Sequence, residues 1–175
     1  MAADRSPELD VLLAKQALHE LNAAYCRAMD RADAAALAAL FHPGAIVNGG
    51  MFNGDAAHFS QAGPAWLREH ATLVFHSVTN ELFAVEGDVA SGESYVLAIL
   101  TMRTENGNRD IITGGRYLDR YERRNQQWRF TERTFVMDCN LNQATTGIYD
   151  DALNPPGHNR GAFSPNDPSN RFWRS

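Results

Sequence analysis

The sequence predicts an α+β domain, and two observations carry that expectation. Apolar residues at three- and four-residue steps are confined to the chain before Phe75. After it come four long runs rich in β-branched and aromatic residues, broken only by short turn-forming stretches. Helices first and strands after them are the pattern of segregated layers, with the strands paired as an antiparallel meander.

Taken in order, Ser6-Pro7-Glu8 supplies a capping hydroxyl and a proline suited to a first helical turn. Leu9, Leu12, Leu13, Ala17, Leu21, Ala24, Tyr25 and Ala28 then mark one face of a long helix. Asp33 can cap a second helix over Ala34 to Phe41, which His42-Pro43-Gly44 would end. Ala45 to Val47 reads as a short strand, Asn48 to Asp55 as a turn-rich loop, and Gly63-Pro64 as the start of a third helix reaching Leu73. The expected long strands are Phe75 to Glu86, Ser91 to Thr104, Arg109 to Arg123 and Trp128 to Cys139. Beyond Asn140 the apolar period is lost. The organisation expected is a domain over residues 1–140 and a loop-rich tail over 141–175, docked on the domain or on a neighbouring subunit through Phe172 and Trp173.

With 175 residues, 44% of them hydrophobic and 21% charged, the chain is the size of one globular domain with room for an internal pocket. Nucleic acid is an unsuitable partner: the net charge is −5, and Asp119 and Glu122 interleave with Arg120, Arg123 and Arg124, so no basic stripe forms. No apolar run approaches the roughly 18 residues of a membrane span, and a cytoplasmic location is expected. Cys26 and Cys139 are too few for a disulfide framework. The six histidines show no metal-ligand spacing, and NGGMFNG lacks the pattern of a phosphate-binding loop, so neither metal nor cofactor is expected.

YCRAMDRAD, LFHP, a glycine-rich loop, FHSVTN, GGRYLDRYERR and WRFTERTF follow one another in that order. This series resembles the nuclear transport factor 2-like superfamily over about Leu9 to Cys139. Within it, the series is similar to the SnoaL-like branch that includes scytalone dehydratase and hexachlorocyclohexane dehydrochlorinase. The resemblance implies a cone: a strongly curved antiparallel sheet with about three N-terminal helices packed on its concave side. It also implies a pocket in which Asp30 orients His76 as a general base, with Arg133 as a charge-stabilising group, and an oligomer of two or three subunits.

The residues themselves leave alternatives open. His76 shares a strand face with Val78, Asn80 and Leu82, so it is either a core histidine satisfied by a carbonyl or a polar group aimed into an apolar cavity. Asp30 falls off the apolar stripe and turns inward only if the helix ends near Met29. Arg133 alternates with Phe135 and Met137, and is either an ion-pair partner or a buried cation for a developing anion. Tyr25 and Tyr117 are hydrogen-bond donors or core aromatics. Phe41, Phe75, Trp66 and Met137 serve packing, in part as pocket wall.

The function expected is a cofactor-free lyase, of dehydratase, dehydrohalogenase or deformylating type, acting on a small apolar aromatic or cyclic molecule. The alternatives are an isomerase with the same base, and a non-catalytic relative. The latter would be a ligand-binding protein or an assembly subunit like the β subunit of ring-hydroxylating dioxygenases.

Overall fold

The structure, a computed structural model, describes residues 6–148, 151–152 and 159–172. Helix α1 spans Pro7–Asp30 and begins where the sequence places it, with Ser6 Oγ accepting from the Leu9 amide at 3.3 Å. Its buried line is Ala14, Leu18, Leu21, Tyr25 and Ala28, while Leu9, Leu12 and Leu13 are exposed. The expected stripe is thus correct from Leu21 onward only. Among the described residues nothing buries the leucines of the first two turns.

Helix α2, Ala34–Ala38, is capped by Asp33, whose carboxylate accepts from the Ala36 amide at 3.0 Å. It stops short of Phe41, which instead opens strand β1, Phe41–Asn48. His42-Pro43-Gly44 therefore lies inside a strand. Proline is tolerated there because the register against the neighbouring strand shifts between Phe41 and Ile46, so no ladder bond depends on its missing amide. After the short strand β2, Asn53–Asp55, helix α3 runs over Ala56–His70. Asp55 caps it, accepting from the Ala57 amide at 2.6 Å, and Pro64 sits within it instead of starting it. The capping carboxylate outweighs the proline, which costs one backbone bond in mid-helix.

Four long strands complete the domain: β3 Ala71–Glu86, β4 Val89–Met102, β5 Arg109–Arg124 and β6 Gln127–Ala144. The curved, unclosed sheet has the order β2-β1-β6-β5-β4-β3. All neighbours pair antiparallel except β1 and β6, which are parallel. That departure from the expected pairing arises because no hairpin joins these two strands, so nothing fixes their relative direction. Register shifts at Val78/Glu81, Gly114/Gly115 and Arg120/Tyr121 interrupt the ladders and bend them. At Gly115 the strands come so close that any Cβ would strike the Val136 carbonyl oxygen and the Phe135 ring.

Most of the core lies between α1, α3 and the sheet, centred on Leu18, Tyr25, Phe41, Tyr117, Tyr121 and Phe130. A second cluster, Ala32, Leu67, Ala71, Val74 and Met102, receives Phe163 from the C-terminal segment. That segment is tied down further by Arg68, whose guanidinium donates to the Ser164 carbonyl at 2.8 Å, and by Arg27, which reaches Ser169 and Asn170. Phe172, expected as the docking anchor, is 79% exposed, and Trp173 lies outside the described residues. Phe163 and the buried Asp167 take the anchoring role in their place. Among the described residues no helix is long and apolar enough to cross a membrane.

Candidate active site

Helix α1 ends just beyond Asp30, which faces the sheet. The Asp33 amide bonds the Ala28 carbonyl and the Ala32 amide bonds the Met29 carbonyl, both at 2.9 Å, which is the double closure that terminates a helix on a left-handed residue. That residue is Ala32, at φ 46, where glycine is usual. Arg68 secures the strained turn by donating to the Ala32 carbonyl at 2.8 Å. Asp30 is thereby the last residue of α1, and it lies on the helix face that carries the buried Asn22 and Cys26 two turns and one turn earlier.

Opposite Asp30 stands His76 on β3. The two side chains meet with Nδ1 of His76 2.8 Å from Oδ1 of Asp30, and each side chain is only 10% exposed. A carboxylate can only accept, so the imidazole proton sits on Nδ1 and Nε2 carries the lone pair, which has no hydrogen-bond partner among the described residues. Two cavities adjoin the pair. One, about 330 Å³, is a groove between α1 and β3 lined by both residues. The other, about 600 Å³, is lined by Asp30, Arg31, Val74 and Phe75 on one side and by Ala162 and Phe163 of the C-terminal segment on the other.

Further along the groove the strand pattern changes. A bulge between Val78 and Glu81 inserts one residue, since Val78 pairs with Val96 and Glu81 with Ser94. Strict alternation would put Asn80 beside His76; after the bulge Glu81 takes that face and Asn80 is exposed. Glu81 bonds His19 of α1 and accepts from Asn22 Nδ2 at 2.8 Å. His19, Cys26 and Glu81 were missed by the sequence reading. The signal for two of them was present: His19, Cys26 and Asp30 are spaced seven and four residues apart, on one face of a helix.

The other sequence-predicted residues assemble elsewhere. Arg133 is fully buried and pairs with Asp119 through Nε at 2.8 Å and Nη2 at 2.7 Å, while Nη2 also donates to Asn22 at 2.5 Å. Its guanidinium lies 4.0–4.1 Å from the ring centres of Tyr25, Tyr117 and Phe130. Burial alone would lower its pKa, but the charge and hydrogen bonds of Asp119 raise it overall, so the cation is permanent. Its Nη1 has no hydrogen-bond partner among the described residues and is left to the aromatic faces. Tyr25, Tyr117, Phe41 and Phe135 belong to this core, and none of them lines either cavity. Met137 is 59% exposed and equally outside them. Phe75, on the strand face opposite His76, lines the larger cavity.

Burial decides the chemistry of two further groups. It pushes the Tyr25 phenol up to about 12, with Arg133 opposing, and it pushes the Cys26 thiol up to about 12 against the same opposing charge. Neither ionises near neutral pH. Cys26, although it lines the groove, is no thiolate nucleophile. Among the described residues no group of three or more histidine, cysteine or acidic side chains could hold a metal ion.

Comparison with known proteins agrees with this architecture. The SnoaL-like domain model matches residues 10–134. The chain belongs to the SnoaL-like family. Among solved structures, a hexachlorocyclohexane dehydrochlorinase (LinA) of type 2 is 23% identical, with 86% of this chain and 99% of that one covered and a TM-score of 0.67. A protein of unknown function from Mycobacterium tuberculosis is 23% identical, covering 78% of each chain at a TM-score of 0.66. A structure from Novosphingobium aromaticivorans, provisionally assigned as a scytalone dehydratase, is 22% identical and covers 85% of this chain and 97% of that one, at a TM-score of 0.68. At these identities the likeness is one of fold. No curated protein matches the chain significantly in sequence.

Proposed function

We propose that the protein is a lyase in which His76 is the general base, acting on a small, largely apolar molecule bound between α1 and β3. The observation that carries this is the 2.8 Å bond between His76 and Asp30 at the edge of an open groove. A carboxylate on Nδ1 fixes the tautomer and stabilises the imidazolium that forms when Nε2 takes a proton. In the elimination, Nε2 removes hydrogen as a proton from a substrate carbon, the C–H electron pair becomes the new π bond, and the bond to the leaving group breaks with its electrons. A halide would leave as the anion, and a hydroxyl would leave as water with the proton returned by the imidazolium. For a carbonyl fragment Nε2 would instead take the proton of a substrate O–H, the O–H pair becoming the C=O of the fragment while the C–C pair forms the new π bond and expels the leaving group. The imidazole and carboxylate suffice for the proton transfer, so we expect no metal or organic cofactor to be required.

The dehydrochlorinase among the structural relatives performs an elimination, as its name states, and this is consistent with the reading. Arg133 is assigned a different part from the one its position in the sequence suggests. Neutralised by Asp119 and enclosed by three rings, it braces Asn22, and through Asn22 the carboxylate of Glu81. The test is a screen of purified protein against halogenated, hydroxylated and aryl-ether compounds, repeated with His76→Ala on any substrate found. Turnover should fall by roughly two to four powers of ten with binding largely kept, the usual worth of a positioned base. Turnover like that of the wild type would overturn the proposal.

A further inference from the structure

We propose that the groove is a two-ended binding site, in which His19 and Glu81 hold the far polar end of an elongated ligand whose near end lies against His76. The proposal rests on the reading of His76 above and extends it to the class of molecule bound: an apolar, flat body with a hydrogen-bonding group at each end.

Two imidazole–carboxylate pairs line this one cavity. They are built alike: in each, Nδ1 meets a carboxylate, with Glu81 serving His19 as Asp30 serves His76. In both rings that leaves Nε2 as the nitrogen available to a ligand. The pairs come from the same two elements, His19 and Asp30 from α1, Glu81 and His76 from β3. His19 precedes Asp30 by eleven residues, a rise of roughly 16 Å at about 1.5 Å per residue. Side chains from both ends shorten that gap, and the body of the ligand would span what remains. Between the ends Ala23, Cys26, Ser77 and Val78 give a small lining with a neutral Cys26 thiol, and the two arginines that also line it, Arg27 and Arg31, are engaged by Ser169 and Asn170 and by Asp167 of the C-terminal segment.

Glu81 is not an ordinary surface partner for a histidine. The bulge turns it inward and its side chain is only 13% exposed. One oxygen is held by Asn22, itself 1% exposed and fixed by Ser94 at 3.0 Å and by Arg133. The other oxygen faces His19, whose ring is 58% exposed and so keeps an open side. A buried carboxylate orienting an imidazole through Nδ1 is the arrangement that His76 has, repeated at His19 with the ring open to solvent. Its use is to donate or accept one hydrogen bond at a fixed place.

The experiment is calorimetric titration of the intact protein with 4,4′-dihydroxybiphenyl and 4-hydroxybiphenyl, for wild type, His19→Ala and His76→Ala. Wild type should bind the dihydroxy compound about tenfold more tightly than the monohydroxy one, the usual worth of one such hydrogen bond. In His19→Ala that gap should close, with the helix content unchanged by circular dichroism. A gap that persists in His19→Ala, or that is absent from wild type, overturns the proposal, as does failure of both compounds to bind. If His76→Ala weakens binding while His19→Ala does not, only the far end is wrong. If His19→Ala leaves the binding of both compounds unaltered, the far end is wrong whatever His76→Ala does. The function proposed above is judged separately, by the turnover of His76→Ala, in which binding is expected to be largely kept.

Discussion

Asp167 lies 2.9 Å from the guanidinium of Arg31, the residue that follows Asp30 in the chain. The contact ties the C-terminal segment to the end of α1 that carries the proposed catalytic carboxylate. Arg31→Met should therefore loosen residues 160–172 without unfolding the domain, and with them the wall that Ala162 and Phe163 give to the larger cavity. Limited proteolysis should cut the variant within this segment at least several times faster than wild type, while circular dichroism of the two stays the same. Equal rates would show that Phe163 and Arg68 suffice to hold it.

The same carboxylate gives the segment a defined response to acid. Burial works to raise the Asp167 pKa, but hydrogen bonds from the Ser169 hydroxyl and from the Ala162 and Ser169 amides, with the charge of Arg31, bring it down to about 2. A carboxyl depressed in the folded state stabilises it above the unfolded value near 3.9, and that contribution is lost as pH falls from there through about 2. The amide resonances of Ala162 and Ser169 should accordingly titrate together with a midpoint near 2. A midpoint near 4 would mean that the turn around Asp167 is open in solution.

Cys26 and Cys139 should differ sharply toward alkylation. Burial holds the Cys26 thiol near 12, so thiolate is scarce at pH 8, whereas Cys139 is exposed. Mass spectrometry after brief iodoacetamide treatment should find one label on the native protein and two after denaturation. Rapid labelling of Cys26 in the native state would contradict the burial of that face of α1.

Arg133 and Asp119 make a fully buried pair, with side chains 1% and 0% exposed. Asp119→Leu leaves an enclosed guanidinium without its counter-charge and should cost about 3–5 kcal/mol of stability. Combining it with Arg133→Met should recover much of that loss, because the burden is the unpaired charge and not the missing bond. Urea denaturation of the two variants measures both effects. If the double variant is no better than the single, the hydrogen bond to Asn22 is what the core depends on.

How much of this was legible in the sequence follows the range of the forces involved. The four long strands and the start of α1 depend on local composition and capping, and each exists where composition places it, although β3 begins at Ala71, within the expected third helix, and β6 runs on to Ala144, into the expected tail. The start of α3 was misplaced because Gly63-Pro64 is a strong local signal, which the Asp55 cap and the burial of Phe59 and Ser60 override. Asn80 was preferred to Glu81 because alternation holds only until a bulge, and no residue type announces this one. Asp30 looked solvated because the stripe runs through the aliphatic and aromatic positions Leu21, Tyr25 and Ala28, whereas Asn22, Cys26 and Asp30 share an adjoining buried face that no apolar run marks. The meeting of Asp30 with His76, 46 residues apart in the chain, came from the resemblance and not from any periodicity. The second pair, His19 with Glu81, had neither source.

Asp30 and His76 should behave as one unit in turnover. Asp30→Asn keeps the side-chain size but offers no negative charge to the imidazolium, and its amide can turn a donor toward Nδ1, forcing the ring into the other tautomer and occupying Nε2 with the proton. Its loss of rate should thus approach that of His76→Ala, roughly two to four powers of ten, on any substrate that the screen supplies. The double variant should be little worse than the poorer single variant, since either change alone already disables the base. Activity of the wild type should persist in a chelator such as EDTA, because the proton acceptor is a side chain. Rate losses that multiply in the double variant would mean that Asp30 acts on the substrate independently of His76, through the larger cavity that it also lines.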